Sequence, residues 1–143
     1  MTKARAAVLE ILNAASEPLS ASGVLRSLPE GSDQVTVYRT LHYLEERGFA
    51  SSFILHCESH GTERYYSAAG RECRHWFHCE QCHRFTDLGA CALDGLVGEY
   101  ERSLGLEVRS HMLTLSGLCS GCRRSGQCTA GDAAGHRTPA SNL

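Results

Sequence analysis

The sequence lacks what several large protein classes require. No apolar run approaches the roughly 18 residues of a membrane-spanning helix, and no basic segment followed by an apolar stretch opens the chain. We therefore expect no membrane partner, no secretory signal and a cytoplasmic location. The net charge is only −2, with 14 Lys and Arg against 16 Asp and Glu. The overall charge of the chain therefore gives no support for nucleic-acid binding.

Aromatic residues are scarce, whereas metal-binding residues are abundant. Four Phe and one Trp offer little for a large core, but the chain has eight Cys and eight His. This balance predicts that metal forms part of the structure. The cysteines could also pair as disulfides, but disulfides rarely persist in the cytosol.

Two C-x-x-C pairs give the strongest signal in the sequence, Cys79 with Cys82 and Cys119 with Cys122. This spacing allows two thiolates from one tight turn to face the same ion. Four thiolates match a closed tetrahedral zinc site, which leaves no open position for a substrate. We expect a structural zinc ion that joins the two ends of a strand-helix-strand unit.

The first half of the chain predicts three helices followed by a hairpin. Apolar residues recur at helical spacing over residues 4–15, and Ser20 and Asp33 are candidate N-caps of the next two helices. Two β-prone runs at 49–57 and 64–67 flank a polar turn. The third helix would bury Val37, Leu41 and Leu44. This order predicts a winged helix-turn-helix domain over residues 1–68.

The second half predicts a small α/β unit over residues 73–124, after a hinge at 69–72. Strands are expected around the first Cys pair, and a helix capped by Asp94 would end at Gly105. The alternating segment that follows predicts a strand, with buried Leu106, Val108, Met112 and Leu115. Residues 125–143 are small and polar, which predicts a disordered tail.

One side of the third helix is a candidate DNA-binding surface. Its polar side chains could reach phosphates or base edges; they are Thr36, Tyr38, Arg39 and Thr40. Against this interpretation, residues 1–50 contain five basic and six acidic residues. The alternative, an exposed helix face that binds nothing, therefore remains open at this point.

Further ligand-type residues cluster near the hinge and in the second half. They are His56, Cys57, His60, Cys73, His75, His78, His83, Asp87, Cys91, Asp94 and His111. So many candidates favour a second, exchangeable metal site. Nucleophilic catalysis by a Cys with a His is the competing use of these residues.

Three motifs in this order resemble the ferric uptake regulator (Fur) family of metal-responsive repressors. The T-V-Y-R-x-L pattern is present at 36–41, H-x-x-x-C-x-x-C at 75–82, and S-H-x-L-x-L-x-G-x-C-x-x-C at 110–122. The resemblance covers residues 4–123. It implies an α+β homodimer, with an N-terminal winged-helix domain and a small C-terminal α/β dimerisation domain. It also implies that metal in a sensor site closes the dimer onto a double-stranded DNA operator palindrome.

The resemblance implies that particular residues of this chain are metal ligands. The paired cysteines match the structural zinc site, and Asp87 matches an acidic ligand of the sensor site. His75, Asp94 and His111 match ligands of a further site in the dimerisation domain, where Cys73 replaces a His. The hairpin residues His56, Cys57 and His60 lie near the sensor ligands of zinc-sensing members.

Thiolates near the hinge favour zinc as the sensed metal, because soft ligands select it over iron or manganese. We expect regulatory zinc at Cys57, His60, His75 and Asp87, with His56, Cys73, Cys91, Asp94 and His111 as possible further ligands. The expected protein is a repressor of zinc uptake genes most like the zinc uptake regulator branch, with one structural and at least one regulatory Zn²⁺ per chain.

Other functions would use the same residues. An iron-, manganese- or peroxide-sensing repressor of the same family is the nearest alternative. A thiol redox switch would use Cys57, Cys73, Cys91 or Cys128. A zinc hydrolase would need an open coordination position and a general base, and nothing in the sequence indicates a small-molecule substrate. We therefore expect no enzymatic activity.

Overall fold

The computed structural model describes residues 1–70 and 73–126. The chain divides into two compact units, Met1–Ala69 and Gly70–Leu143. Within the described ranges, no helix is long and apolar enough to cross a membrane.

Three capped helices open the first unit: α1 (Lys3–Ala14), α2 (Ala21–Ser27) and α3 (Gln34–Glu46). The Ser20 hydroxyl accepts a hydrogen bond from the Gly23 N–H at 3.1 Å, and an Asp33 carboxylate oxygen accepts one from the Thr36 N–H at 2.9 Å. Each cap satisfies an N–H group that the first helical turn leaves without a helical partner. Both N-caps expected from the sequence are confirmed.

A three-stranded antiparallel sheet completes the first unit. β1 (Leu19–Ser20), β2 (Ala50–Cys57) and β3 (Gly61–Ala68) follow the order β1-β3-β2, and β2 and β3 form the hairpin. Apolar residues of all three helices pack against this sheet in one core. The predicted inward residues of α3 are buried, namely Val37, Leu41 and Leu44. The winged helix-turn-helix arrangement is confirmed.

The second unit combines a small sheet with two helices. Its elements are β4 (Trp76–Cys79), β5 (Phe85–Asp87), α4 (Asp94–Leu104), β6 (Thr114–Gly117) and α5 (Ser120–Ser125). The strand order is β5-β4-β6. β4 pairs antiparallel with β5 and parallel with β6, so the ends of β4 and β6 that lead towards the two C-x-x-C pairs lie side by side.

Three expectations for the second unit are wrong. Asp94 is the first residue of α4 and not its N-cap, which is Leu93 without a side-chain cap. The long alternating segment forms a strand only over Thr114–Gly117. Leu106, Met112 and Leu115 are exposed, because Leu106 and Met112 lie outside β6 and β6 itself is an edge strand that, among the described residues, pairs only with β4.

The predicted hinge and tail are only partly described. Residues 71–72 of the hinge and 127–143 of the tail, including Cys128, lie outside the described residues. The tail was expected from Ser125, but Ser125 is the last residue of α5. The positive φ of 73° at Gly126 allows the chain to leave the helix there without a Cβ clash.

Candidate metal centres

Four cysteine thiols meet at one end of the sheet in the second unit. Cys79 ends β4, Cys82 lies in the following turn, Cys119 caps α5 and Cys122 is the third residue of α5. The parallel register places Cys79 opposite Gly117, which brings the two pairs together. Their four Sγ atoms lie within 4.8 Å of one another. We call this group the four-cysteine cluster; it contains all four residues predicted for structural zinc.

The geometry of the four-cysteine cluster fits a tetrahedral zinc ion. The Sγ atoms of Cys82 and Cys119 are 3.8 Å apart, and Zn–S bonds of about 2.3 Å in a tetrahedron place sulfurs about 3.8 Å apart. Cys79, Cys119 and Cys122 are buried. A closed set of four soft ligands, three of them buried, is typical of a structural site.

The surroundings of Cys79 favour the thiolate form of its side chain. Burial alone would raise the pKa of Cys79, but the backbone N–H groups of Cys119, Cys82 and Gln81 donate to its sulfur and lower the pKa to about 6. The Cys119 N–H lies 3.4 Å from that sulfur. Because zinc binds thiolates, this pKa reduces the free-energy cost of deprotonating Cys79 for the metal.

A second group of ligands lies in the same unit, formed by Cys73, His75, Cys91 and His111. Their ligand atoms also lie within 4.8 Å of one another. We call this group the mixed cluster, because it combines two cysteines with two histidines. Its residues come from the segment before β4, the loop between β5 and α4, and the segment before β6. Residues far apart in the sequence are therefore assembled by the sheet.

The mixed cluster is tight enough for one ion. The His75 Nε2 atom lies 3.1 Å from the Cys73 Sγ, 3.3 Å from the Cys91 Sγ and 3.1 Å from the His111 Nε2. The His111 Nε2 lies 3.2 Å from both sulfurs. A tetrahedral zinc ion with N and S ligands spaces these atoms by about 3.3–3.8 Å, so small adjustments admit the metal.

Burial distinguishes the two clusters. In the mixed cluster His75 is buried, but Cys91 and His111 are half-buried and Cys73 is exposed. Partial desolvation and the neighbouring Cys91 thiol raise the pKa of Cys73 in the metal-free chain. A bound dication would reverse the direction of this shift, because it stabilises both thiolates. The mixed cluster is therefore the more accessible of the two candidate metal sites.

The other predicted ligands lie outside both clusters. Among residues 1–70 and 73–126, these clusters are the two groups whose ligand atoms converge. An Asp87 carboxylate oxygen accepts a hydrogen bond from the Gly89 N–H at 2.8 Å, and Asp94 opens α4. In the first unit the His56 Nδ1 lies 2.9 Å from the Thr62 hydroxyl, and Cys57 ends β2.

The family resemblance groups three members of the mixed cluster in one further site, namely Cys73, His75 and His111, but it gives Asp94 as the fourth ligand where the structure has Cys91. The separate set of His75 with Cys57, His60 and Asp87 stays a prediction, because its members belong to different units. His111 is 38 residues from Cys73 and 20 from Cys91. Only the Cys73-x-His75 spacing gave a local signal, because alternate residues of an extended segment share a side.

The outward side of α3 differs from the predicted DNA-binding set. Tyr38 and Arg39 are exposed. Thr40 is buried and faces the core, because it lies three residues after Val37 on the inward side, so its assignment to DNA is corrected. The Thr36 hydroxyl donates to an Asp33 carboxylate oxygen at 2.5 Å and so helps to cap the helix.

Comparisons with known proteins converge on one family. The model of the ferric uptake regulator family matches residues 1–116. The ferric uptake regulation proteins of Brucella abortus (strain 2308) and Brucella suis biovar 1 (strain 1330) are each 30% identical over 118 residues, which cover 80% of this chain and 81% of the relative.

Solved structures share the fold. The ferric uptake regulator of Helicobacter pylori is 22% identical, with a TM-score of 0.71 over 89% of this chain and 84% of its own. A zinc uptake regulator complexed with zinc and DNA is 24% identical, with a TM-score of 0.62 over 89% of this chain and 85% of its own. A zinc-bound manganese uptake regulator is 21% identical, with a TM-score of 0.58 over 82% and 89%.

Proposed function

Because the chain belongs to the ferric uptake regulator family, whose members are transcriptional regulators and not enzymes, we propose that it is a zinc-responsive DNA-binding repressor. We propose that zinc-loaded dimers bind operator palindromes of zinc uptake genes in the cytoplasm. The four-cysteine cluster holds the structural ion and the mixed cluster holds the regulatory ion. Metal-responsive regulation is the family property, whereas zinc and these site assignments are our proposal.

The donor set of the mixed cluster supports zinc. Two thiolates with two imidazoles are soft and borderline ligands, which suit zinc, whereas manganese favours carboxylate and other oxygen ligands. Asp87 and Asp94, the carboxylates expected near this site, are not among the converging ligand atoms. Zinc would bring charge and tetrahedral geometry to the site and no redox chemistry.

The position of the mixed cluster supports a regulatory role. Cys73 follows residues 71–72 of the predicted hinge and is close in sequence to the boundary between the units. An ion shared by Cys73, the loop of Cys91 and the segment of His111 would restrain the chain where it leaves the first unit. A metal ion that binds one conformation of the chain more strongly than another by about 3 kcal/mol changes the ratio of the two conformations more than a hundredfold.

The surface of α3 supports DNA binding. Tyr38 and Arg39 project from the third helix of a winged helix-turn-helix, the helix that enters the major groove in such domains. Arg5 stacks its guanidinium carbon 3.5 Å from the centre of the Tyr43 ring, which anchors a positive charge on α1 beside α3. Arg39 can reach guanine edges or phosphates.

The apolar side of α4 supports a dimer. α4 has no buried residue, yet Leu96, Tyr100 and Leu104 repeat every four residues on one side and are exposed. Leu115 on the edge strand β6 is also exposed. We propose that a second copy covers this surface, as family members act as dimers; an isologous contact of this kind forms a closed pair.

Metal analysis with operator binding tests the function. The purified protein is expected to carry two zinc ions per chain, one of which mild chelation removes together with operator binding. Added zinc should restore binding. If one zinc ion is retained throughout and iron or manganese restores binding instead, the zinc assignment is wrong and the family assignment stands.

A thiol redox switch is a second candidate, favoured by one observation. The Cys73 and Cys91 sulfurs lie within 4.8 Å of each other and are more exposed than most thiols of the four-cysteine cluster. Peroxide would take two electrons from the two thiolates to form one disulfide and, with two protons, two waters, with release of the ion. Loss of operator binding under peroxide, reversed only by a thiol reductant and zinc together, supports this role; unchanged binding excludes it.

A further inference from the structure

We propose that Val35 determines operator specificity by contacting the methyl group of a thymine in each half-site. The inference rests on the proposed DNA-binding function. It adds a base-reading residue that the polar pattern of α3 does not indicate.

Val35 lies where a recognition helix meets base edges. It is the second residue of α3, and the N-terminal residues of such helices contact bases in the major groove. Tyr38 and Arg39 follow at the i+3 and i+4 positions, so all three side chains share one side of the helix. The Asp33 cap holds this first turn through its bond to the Thr36 N–H at 2.9 Å.

Folding gives no reason for a valine at this position. Val35 is 59% exposed, whereas Val37, two residues later, is 1% exposed and belongs to the core. A β-branched residue is also a poorer helix former than alanine. The exposed valine therefore costs the helix a little stability without contributing to the packing of the first unit.

The chemistry of the side chain selects one base. Val35 has no side-chain donor or acceptor, so it can discriminate only through apolar contact. In the major groove the thymine C5-methyl is the apolar group that distinguishes bases. Arg39 and Tyr38, on the same side of α3, can supply the polar contacts.

Thymine-to-uracil replacement in the operator tests the proposal, because it removes the methyl and keeps every hydrogen-bonding group. The operator is first selected from random duplex DNA with the zinc-loaded full-length protein. Each thymine is then replaced singly, and affinity is measured for the natural protein and for Val35→Ala. We expect one replacement per half-site to weaken the natural protein about fourfold and to leave Val35→Ala unaffected at that position.

A matched control separates base reading from folding. Val37→Ala removes the same atoms from the buried neighbour and should lower the midpoint of thermal unfolding. It should not change the uracil profile of the folded protein, meaning the set of affinity changes that the single uracil replacements cause. Val35→Ala should keep or raise the midpoint. If Val35→Ala retains the natural uracil profile at every thymine, Val35 does not read a methyl. If no DNA sequence is selected at all, the DNA-binding function fails and the inference fails with it.

Discussion

Replacement of Cys91 by serine is expected to separate the regulatory metal from the structural one. The Cys91 Sγ lies 3.3 Å from the His75 Nε2 and 3.2 Å from the His111 Nε2, so it would be a ligand of the regulatory ion that we propose for the mixed cluster. It does not contribute a ligand atom to the four-cysteine cluster. The variant should therefore fold, keep one zinc ion and bind the second weakly.

The expected loss follows from the number of ligands. If a zinc site contributes about 12 kcal/mol shared among four ligands, one ligand contributes about 3 kcal/mol. Because each 1.4 kcal/mol is about tenfold, the affinity for the second ion should fall by about a hundredfold. Operator binding should then need a correspondingly higher free zinc concentration.

Two assays measure this change. A chromophoric chelator competes for the second ion and reports its affinity. Trp76 gives an independent signal, because it is the single tryptophan of the chain, is buried against Phe85 and directly follows His75. Its fluorescence should change on zinc addition in the natural protein, and the Cys91→Ser variant should show this change only at higher zinc.

Cys57→Ala is the matched control, because it removes a buried thiol from the first unit. Its zinc affinity and its zinc-dependent operator binding should equal those of the natural protein. If Cys57→Ala or Asp87→Ala loses the zinc response while Cys91→Ser keeps it, the regulatory set is the one expected from the sequence and the assignment to the mixed cluster is refuted.

Three further predictions concern stability and assembly. Cys82→Ala should unfold the second unit and release the structural zinc, which circular dichroism and metal analysis would detect. Leu104→Glu should dissociate the dimer in analytical ultracentrifugation, because it places a charge on the apolar side of α4, whereas Ser103→Glu should not. Leu41→Ala should lower the free energy of unfolding by about 2–5 kcal/mol in urea denaturation, because Leu41 is fully buried in the core of the first unit.

Each of these predictions has an outcome that contradicts it. A folded Cys82→Ala variant with full zinc content would show that the four-cysteine cluster is not a structural site. Equal dimer dissociation by both glutamate variants would indicate a general charge effect and not a docking surface on α4. A Leu41→Ala variant with unchanged stability would mean that the first unit does not depend on this core.

The local pattern of the sequence predicts the first unit well. The N-caps Ser20 and Asp33, the inward residues of α3 and the β2–β3 hairpin are confirmed. These features depend on neighbours a few residues away, which the sequence displays directly. Thr40 is the exception, because a polar side chain at an inward position resembles a surface residue until the helix is packed.

The second unit shows where local patterns are insufficient. Alternation over residues 106–117 predicts a buried strand, but only Thr114–Gly117 pairs, at an edge. Leu106 and Met112 are exposed in the single chain. The same apolar pattern is expected whether a residue is buried within its own chain or covered by a second copy. The sequence therefore does not distinguish these two cases.

Short motifs and local patterns were sufficient to predict the family, the winged-helix elements and the four-cysteine cluster. Which of the other Cys, His and Asp side chains converge depends on tertiary packing. That packing adds Cys91 to Cys73, His75 and His111, and it leaves Asp87 and Asp94 outside the cluster. Coordination depends on distances of a few ångströms, and the pairing of β4 with both β5 and β6 brings these distant segments together.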